Sequence, residues 1–410
     1  MALDFPSSPT NGQVFGAYTW DSARGVWLQT SMSSRVVTTS DTAPSSPTNG
    51  DMWMYTVDGT CFIYYDDGTS GQWVEQSKSV FTPATYQSPN HIINGGFDIW
   101  QRGTSFSSPA GTAYVADRWY GGSVAGTYTV SRQTTGSPPT SEYYIRTAHS
   151  GAGSNYHNKM QIIETLNVVP LLGKVVTLQV KLRRNASFAG GITVGLFKSS
   201  TVDAVQASTW TQIGSTAISN ALLPTGTTSV DWYTATLTLT VPNDGTANSL
   251  RVTVYETAVQ ASGSSWDMAE VQLEAGSVAT PFRRSGSNIQ AELAACQRYY
   301  YRATPGSGNN ASFAPGLVNT ATQALVHVPF PVVMRVDPTL ETSGTAANYR
   351  VYSSAANVAC NTVPVISTGS SSPVSVTLVA TVASGLAAGQ ACLLMSNNSS
   401  AAYLGFSAEL

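Results

Sequence analysis

The sequence predicts an all-β protein built from several small domains, and three observations carry that reading. Runs of alternating apolar and polar residues recur along most of the chain, separated by turns rich in Gly, Asn, Ser and Pro. Only one stretch has helical spacing. Charged residues make up 10% of the 410 positions, against roughly 25% in an ordinary soluble protein, while apolar content at 42% is near normal. Uncharged polar side chains must therefore cover the surface, which suits strand faces and turns. The length gives room for about two to four domains.

The first 80 residues contain an internal repeat. FPSSPTNGQVFGAYTWDSARGVWLQ is echoed by APSSPTNGDMWMYTVDGTCFIYYDDGTSGQWVEQ, with Pro6 matching Pro44 at an offset of 38. Each unit enters an Asn-Gly turn (Asn11-Gly12, Asn49-Gly50) and continues into aromatic strands. A unit this small cannot bury its aromatic face alone. Trp20, Trp27, Trp53 and Trp73 are therefore expected to be exposed and to serve as contact residues, either within a paired β-domain or as an attachment end. Residues 81–92 read as a linker.

Residues 93–285 show clean two-residue alternation. Val176, Leu178, Val180 and Leu182 face one way, as do Ile192, Val194 and Leu196, then Tyr233 to Val241, then Leu250, Val252 and Val254. Several such strands without helical spacing between them predict a β-sandwich.

The one credible helix lies in 286–302. Ile289, Leu293, Cys296 and Tyr300 form a short seam, and Ser287 with Gln290 reads as a capping box. Its apolar face must be buried. Two covers remain open: the flanking β-domain, or a three-helix contact on a threefold axis. From 303 to 410 the chain returns to short strands, a second β-rich, sandwich-like domain in which Pro329 and Pro331 can sit only at strand ends or edges.

Several functions are disfavoured. A net charge of −3 without a basic run does not favour nucleic acid. No apolar run reaches the roughly 18 residues of a membrane span. MALDFPSSPTNG lacks the basic and apolar regions of a secretory signal. Cys61, Cys296, Cys360 and Cys392 have no zinc spacing and read as free, mostly buried thiols. His91, His149, His157 and His327 show no ligand spacing, and no nucleophile or phosphate-loop motif is present. Among the acids, Asp66-Asp67 read as a solvated turn, and Glu142, Glu270 and Glu274 form no evident catalytic pair. No enzyme is expected.

The stretch 94–284 opens with NGGFDIWQRGTSF and ADRWY and closes with WDMAEVQLEAGSVATPFRR. Together with the following ELAACQRYYYR and VPFPVVMRVDPTL, it resembles the jelly-roll modules, akin to carbohydrate-binding modules, of tailed-bacteriophage fibre proteins. The PTNG-and-Trp repeats are similar to the virion-proximal ends of some of these fibres.

The resemblance implies a jelly roll over 93–285 and a homotrimer on the virion. It also implies attachment to other virion proteins through residues 1–80, and folding in the host cytoplasm. The chain would bind a host-surface receptor, a glycan by expectation, with residues 303–410 as the tip. The alternative is a purely structural virion component such as a head fibre or decoration protein. Trp100, Arg102, Trp119, Tyr143 and Tyr144 offer rings and hydrogen-bonding groups for sugar, although core roles compete at Trp100 and Trp119. Asn348, Tyr349 and Tyr352 are the candidate tip contacts. Asp98 and Asp267 match positions where related jelly rolls hold structural calcium, with strand-end hydrogen bonding as the simpler reading.

Overall fold

A computed structural model describes residues 6–15, 18–29, 37–56, 60–75, 89–109, 113–122, 126–151, 157–286, 288–304, 310–354 and 356–410. The chain divides into two compact units, Met1–Gln87 and Ser88–Leu410. Most of the predicted linker lies outside the described residues.

In the first unit, β1 (Val14–Phe15), β2 (Tyr18–Asp21) and β3 (Val26–Gln29) form one antiparallel sheet. A second sheet contains β4 (Val37–Ser40), β5 (Met52–Tyr55), β6 (Cys61–Asp66) and β7 (Gly71–Glu75), with β4 parallel to β5. The repeat is structural. Gly12 N donates to Trp20 O and Gly50 N to Tyr64 O, while Trp20 N donates to Gln13 O and Tyr64 N to Asp51 O, all at 2.8–2.9 Å. Asn11 Oδ1 accepts from Ser22 N and Asn49 Oδ1 from Asp66 N. Thus the same Asn-Gly turn is laced onto the second strand of each unit.

The four tryptophans are less exposed than expected. Trp53 is buried, stacked on Phe62 at 4.9 Å and edge-on to Trp73 at 5.7 Å. Trp20 and Trp27, both half-buried, pack at 5.5 Å. The rings cover one another within each sheet, which recovers part of the burial that so small a unit otherwise lacks.

The second unit begins with a jelly-roll-like sandwich. Its strands are β8 (Ser105–Ser107), β9 (Tyr128–Gln133), β10 (Tyr144–His149), β11 (Asn158–Ile163), β12 (Val175–Arg184), β13 (Ile192–Ser199), β14 (Thr211–Ile218), β15 (Tyr233–Thr240), β16 (Ser249–Glu256) and β17 (Ser265–Ala275). A six-stranded sheet β15-β12-β17-β10-β9-β8 faces a four-stranded sheet β11-β16-β13-β14. The predicted inward residues Val176, Leu178, Val180, Leu182, Ile192, Val194, Leu196, Leu250, Val252 and Val254 are all buried in one core.

A helix, α1 (Ile289–Gln297), follows; its N-cap is Asn288, whose Oδ1 accepts from Ala291 N at 2.9 Å. This displaces the predicted cap by one residue, and Ser287 itself lies outside the described residues. The buried line is also displaced. Ile289 is 42% exposed, while Glu292, Cys296, Tyr299 and Tyr300 are buried. The reason is polar: the Glu292 carboxylate accepts from Gly286 N at 2.6 Å and from Asn94 N, fixing the helix against the start of the sandwich.

The remaining strands are β18 (Tyr300–Ala303), β19 (Ser312–Thr320), β20 (Gln323–Pro329), β21 (Thr339–Thr342), β22 (Tyr349–Ser353), β23 (Asn357–Ala359), β24 (Val365–Ser371), β25 (Ser375–Thr381), β26 (Ala391–Ser396) and β27 (Leu404–Ser407). The sheets β18-β27-β21 and β23-β22-β26-β19-β20-β25-β24 enclose a second core around Val326, Tyr349, Leu378, Leu394 and Phe406. Pro329 ends its strand, as predicted. Cys296, Cys360 and Cys392 are buried, and all four cysteines are free.

Candidate functional site

The sequence-predicted sugar contacts are mostly structural. Trp119 is fully buried and its Nε1 donates to Asn94 O at 3.0 Å; Trp100 is nearly so, with Nε1 donating to Phe97 O at 2.7 Å. Neither ring has a free face. Tyr144 is likewise buried, edge-on to Trp232 and beneath the Arg183 guanidinium. Tyr143 is half-buried under Arg132.

Arg102 and Arg118 close the junction between the sandwich and the C-terminal domain. Both pair with Glu409, and the Arg118 and Glu409 side chains are 2% and 5% exposed. Arg118 also stacks on Tyr299 at 3.5 Å and Arg102 on Tyr300 at 3.3 Å. Burial alone would lower the Arg118 pKa; the Glu409 carboxylate more than offsets this and holds it well above the ordinary value. Tyr114 donates to Leu410 O at 3.0 Å, and Tyr120 donates to the same oxygen. Leu410 joins Tyr120, Met160, Ile162 and Tyr299 in an apolar cluster beneath these polar contacts. Burial pushes the Asp117 carboxyl up to about 6, against hydrogen bonds from Gln101.

The predicted calcium acids are held by guanidinium groups. Asp98 receives Arg284 Nε at 2.7 Å and Nη2 at 3.1 Å. Asp267 receives Arg146 Nε at 2.7 Å and Arg183 Nε at 2.8 Å. With oxygens already satisfied by cationic donors, neither residue fits a calcium ligand. Of the predicted tip contacts, Tyr349 is in the core, bonding Tyr403 O at 2.6 Å, because β22 turns Tyr349, Val351 and Ser353 inward. Tyr352 is 47% exposed and Asn348 half-buried. Of the acids weighed for catalysis, Glu142 is exposed and the others have partners within the fold. Glu270 pairs with Lys181 at 2.9 Å, Glu274 accepts from Thr280, and Asp66 and Asp67 accept from turn amides.

Among the described residues, one group has the makings of a metal site: His149, His157 and Glu256, all buried between the two sheets. The carboxylate is already saturated. Both imidazoles contact it, and His157 N and Trp266 Nε1 each donate to it at 3.1 Å. Lys159, with no exposure, points into the same interior, since it alternates with the outward Asn158 and Met160. An ammonium there opposes a second cation, and the cluster is better explained as a buried ion-pair network.

The outer face of the four-stranded sheet is different. Arg251, Thr253 and Tyr255 alternate with the core residues Leu250, Val252 and Val254, so they point away from the interior. Their cross-strand neighbours on that face are Ile162, Met160 and Asn158 on one side and Phe197, Gly195 and Thr193 on the other. Gln212 stands opposite Phe197, and Trp210 lies two residues before it. The Arg251 guanidinium sits 5.0 Å from the Phe197 ring centre and 4.7 Å from that of Trp210. Gly195 allows this arrangement: a Cβ there would meet the Phe197 ring at 3.0 Å.

Three buried polar atoms on this face, Arg251 Nε, Thr253 Oγ1 and Asn158 Oδ1, have no hydrogen-bond partner among the described residues. Burial lowers the Arg251 pKa to about 10, and no carboxylate compensates. The three atoms are sealed from solvent, and Met160 and Ile162 are buried in the cluster with Tyr120, Tyr299 and Leu410; Phe197, Arg251 and Trp210 are among the half-buried groups of this face that solvent reaches. Sequence reasoning missed these residues. The available signal was Phe197, Arg251 and Tyr255 at outward strand positions.

No protein-family model matches the chain, and neither does any curated protein. Solved structures similar to the chain include the enzymatically active domain of tailspike protein 4 of bacteriophage CBA120 (13% identity, TM-score 0.29), matching 46% of this chain and 21% of that one. TmCBM61 in complex with β-1,4-galactotriose matches 46% of this chain and 100% of its own (11%, TM-score 0.28). A putative sugar-binding protein from Bacteroides thetaiotaomicron matches 46% and 100% (12%, TM-score 0.31). At these identities and scores the likeness carries no functional information. Among the described residues no helix is long and apolar enough to cross a membrane.

Proposed function

We propose that this chain is a fibre-like virion protein of a tailed bacteriophage, docking by its N-terminal repeats and binding a host-surface glycan. The glycan is placed on the outer face of the four-stranded sheet, around Phe197, Trp210 and Arg251. The observation that carries this half is the half-buried Arg251 guanidinium, unpaired with any carboxylate of the described residues, beside two half-buried rings. Sugars present oxygens to a guanidinium and C–H faces to such rings. The virion half rests on the resemblance of the repeats and of the bookend motifs. In this reading the protein is a binding protein, not an enzyme, and a homotrimer whose linked sites raise the avidity of weak individual contacts.

Two measurements test it. Purified chain should bind intact host cells or their extracted envelope polysaccharide, and Trp210→Ala should weaken binding about tenfold or more, equivalent to about 1.4 kcal/mol. Absence of binding to any envelope glycan would favour the structural alternative. Light scattering should return three times the 43.2 kDa chain mass, and a monomer at micromolar concentration would remove the trimer.

A further inference from the structure

Resting on that reading of the sheet face, we infer that the glycan is anionic and that Arg251 recognises a carboxylate or phosphate group on it. Most guanidinium groups of the second unit are neutralised or stacked inside the protein. Arg102, Arg118, Arg146, Arg183, Arg284 and Arg298 all pair with carboxylates. Arg251 pairs with none among the described residues, and Asn158, Thr253, Tyr255 and Gln212 on the same face are neutral groups.

Geometry narrows what can approach. The Arg251 guanidinium carbon lies 5.0 Å from the Phe197 ring centre and 4.7 Å from that of Trp210, so the two rings flank the group. Arg251 Nε is sealed from solvent without a hydrogen-bond partner among the described residues, while the residue as a whole is half-buried, which leaves the Nη groups for a ligand. A planar fork of donors matches a carboxylate or phosphate bidentately, and it matches single hydroxyls less well. The half-burial that raises the cost of this unpaired charge is repaid when an anion arrives. Neutral sugar hydroxyls would leave that cost standing.

The test uses the full chain and polysaccharide extracted from a bacterial strain whose cells the protein binds. Three preparations are compared by titration: untreated, carboxyl-reduced, and dephosphorylated. The inference expects at least one treatment to weaken binding about tenfold. Arg251→Gln should lose the same factor on untreated polysaccharide and nothing further on the treated one. Arg251→Lys should keep salt-sensitive attraction but recover only part of the affinity, because a lysine lacks the planar fork. Equal binding to all three preparations, with Trp210→Ala still damaging, would overturn the anionic ligand and leave the glycan reading standing. If no strain and no preparation binds, the underlying reading fails as well.

Discussion

Arg118 and Arg251 are both arginines laid against aromatic rings, yet they belong to different kinds of surface. Arg118 stacks on Tyr299, pairs with Glu409 and is closed over by the C-terminal domain. Arg251 lies beside Phe197 and Trp210, has no carboxylate partner among the described residues and stays half-buried. The two are close in the fold: Ile162, the cross-strand partner of Arg251, also accepts at its carbonyl oxygen from Arg118 Nη2 at 2.7 Å. An arginine beside aromatics is therefore uninformative by itself. What separates an internal fastening from a recognition surface is whether the protein supplies the counter-charge.

The largest effect should come from breaking the fastening. Arg118→Ala leaves the Glu409 carboxylate buried beside Arg102 alone, so the second unit should lose about 3–5 kcal/mol of stability. Chemical denaturation followed by tryptophan fluorescence measures it. A loss below about 1 kcal/mol would mean that the junction is wetter or looser than its burial implies. The same logic makes 303–410 a poor isolated fragment, since Tyr299, Arg102 and Arg118 cover the face that holds Glu409 and Leu410.

Next comes the buried cluster, where the counter-charge is internal but the desolvation is severe. Burial pulls Lys159 down to about 7 from an ordinary 10.5, and only Glu256 opposes that. The unfolded chain therefore holds this proton more tightly than the folded one between those limits. Stability must rise with pH across about 7 to 10.5. His157, lowered chiefly by burial, acts in the same direction below its ordinary 6.5: as pH falls toward its folded value, stability is lost. Glu256 is pulled to about 2 because hydrogen bonds from His149 and His157 outweigh its desolvation, so its contribution is intact above 4.5 and disappears below. Lys159→Met should flatten the alkaline rise by on the order of a few kcal/mol, read as the difference between wild-type and variant pH–stability curves. Parallel curves would show that Lys159 is solvated or paired in a way that its burial does not suggest.

Much of the fold was legible because strand alternation is a local signal. The inward series of β12, β13 and β16 needed no knowledge of partners, and the Asn-Gly turns fixed the repeats. The helix was legible in position but not in orientation. Its buried line is anchored by Glu292 accepting backbone protons from Asn94 and Gly286, and a contact from almost 200 residues away leaves no trace in a seam of apolar residues. The candidate site failed for a related reason. Trp100, Arg102, Trp119 and Tyr349 carry sugar-binding chemistry in their side chains, and only tertiary packing turns them inward. Arg251 and Trp210 look ordinary in sequence until register places them on one face.

The smallest expected effect sharpens the comparison most. Arg251→Gln removes a half-buried charge that no described residue neutralises. Unlike Arg118→Ala it strands no opposite charge, so the usual penalty for breaking a buried pair does not arise. Two terms then compete. The variant loses the stacking against Phe197 and Trp210, worth about 0.5–1 kcal/mol at a partly exposed site. It also loses the desolvation cost that lowers the Arg251 pKa to about 10. The net change should lie within about 1 kcal/mol of zero, in either direction, measured by the same denaturation that reports several kcal/mol for Arg118→Ala. Such a result would show that the fold does not need this charge. A loss as large as that of Arg118→Ala would instead mean that Arg251 has a hidden internal partner, and the distinction between the two arginines would collapse.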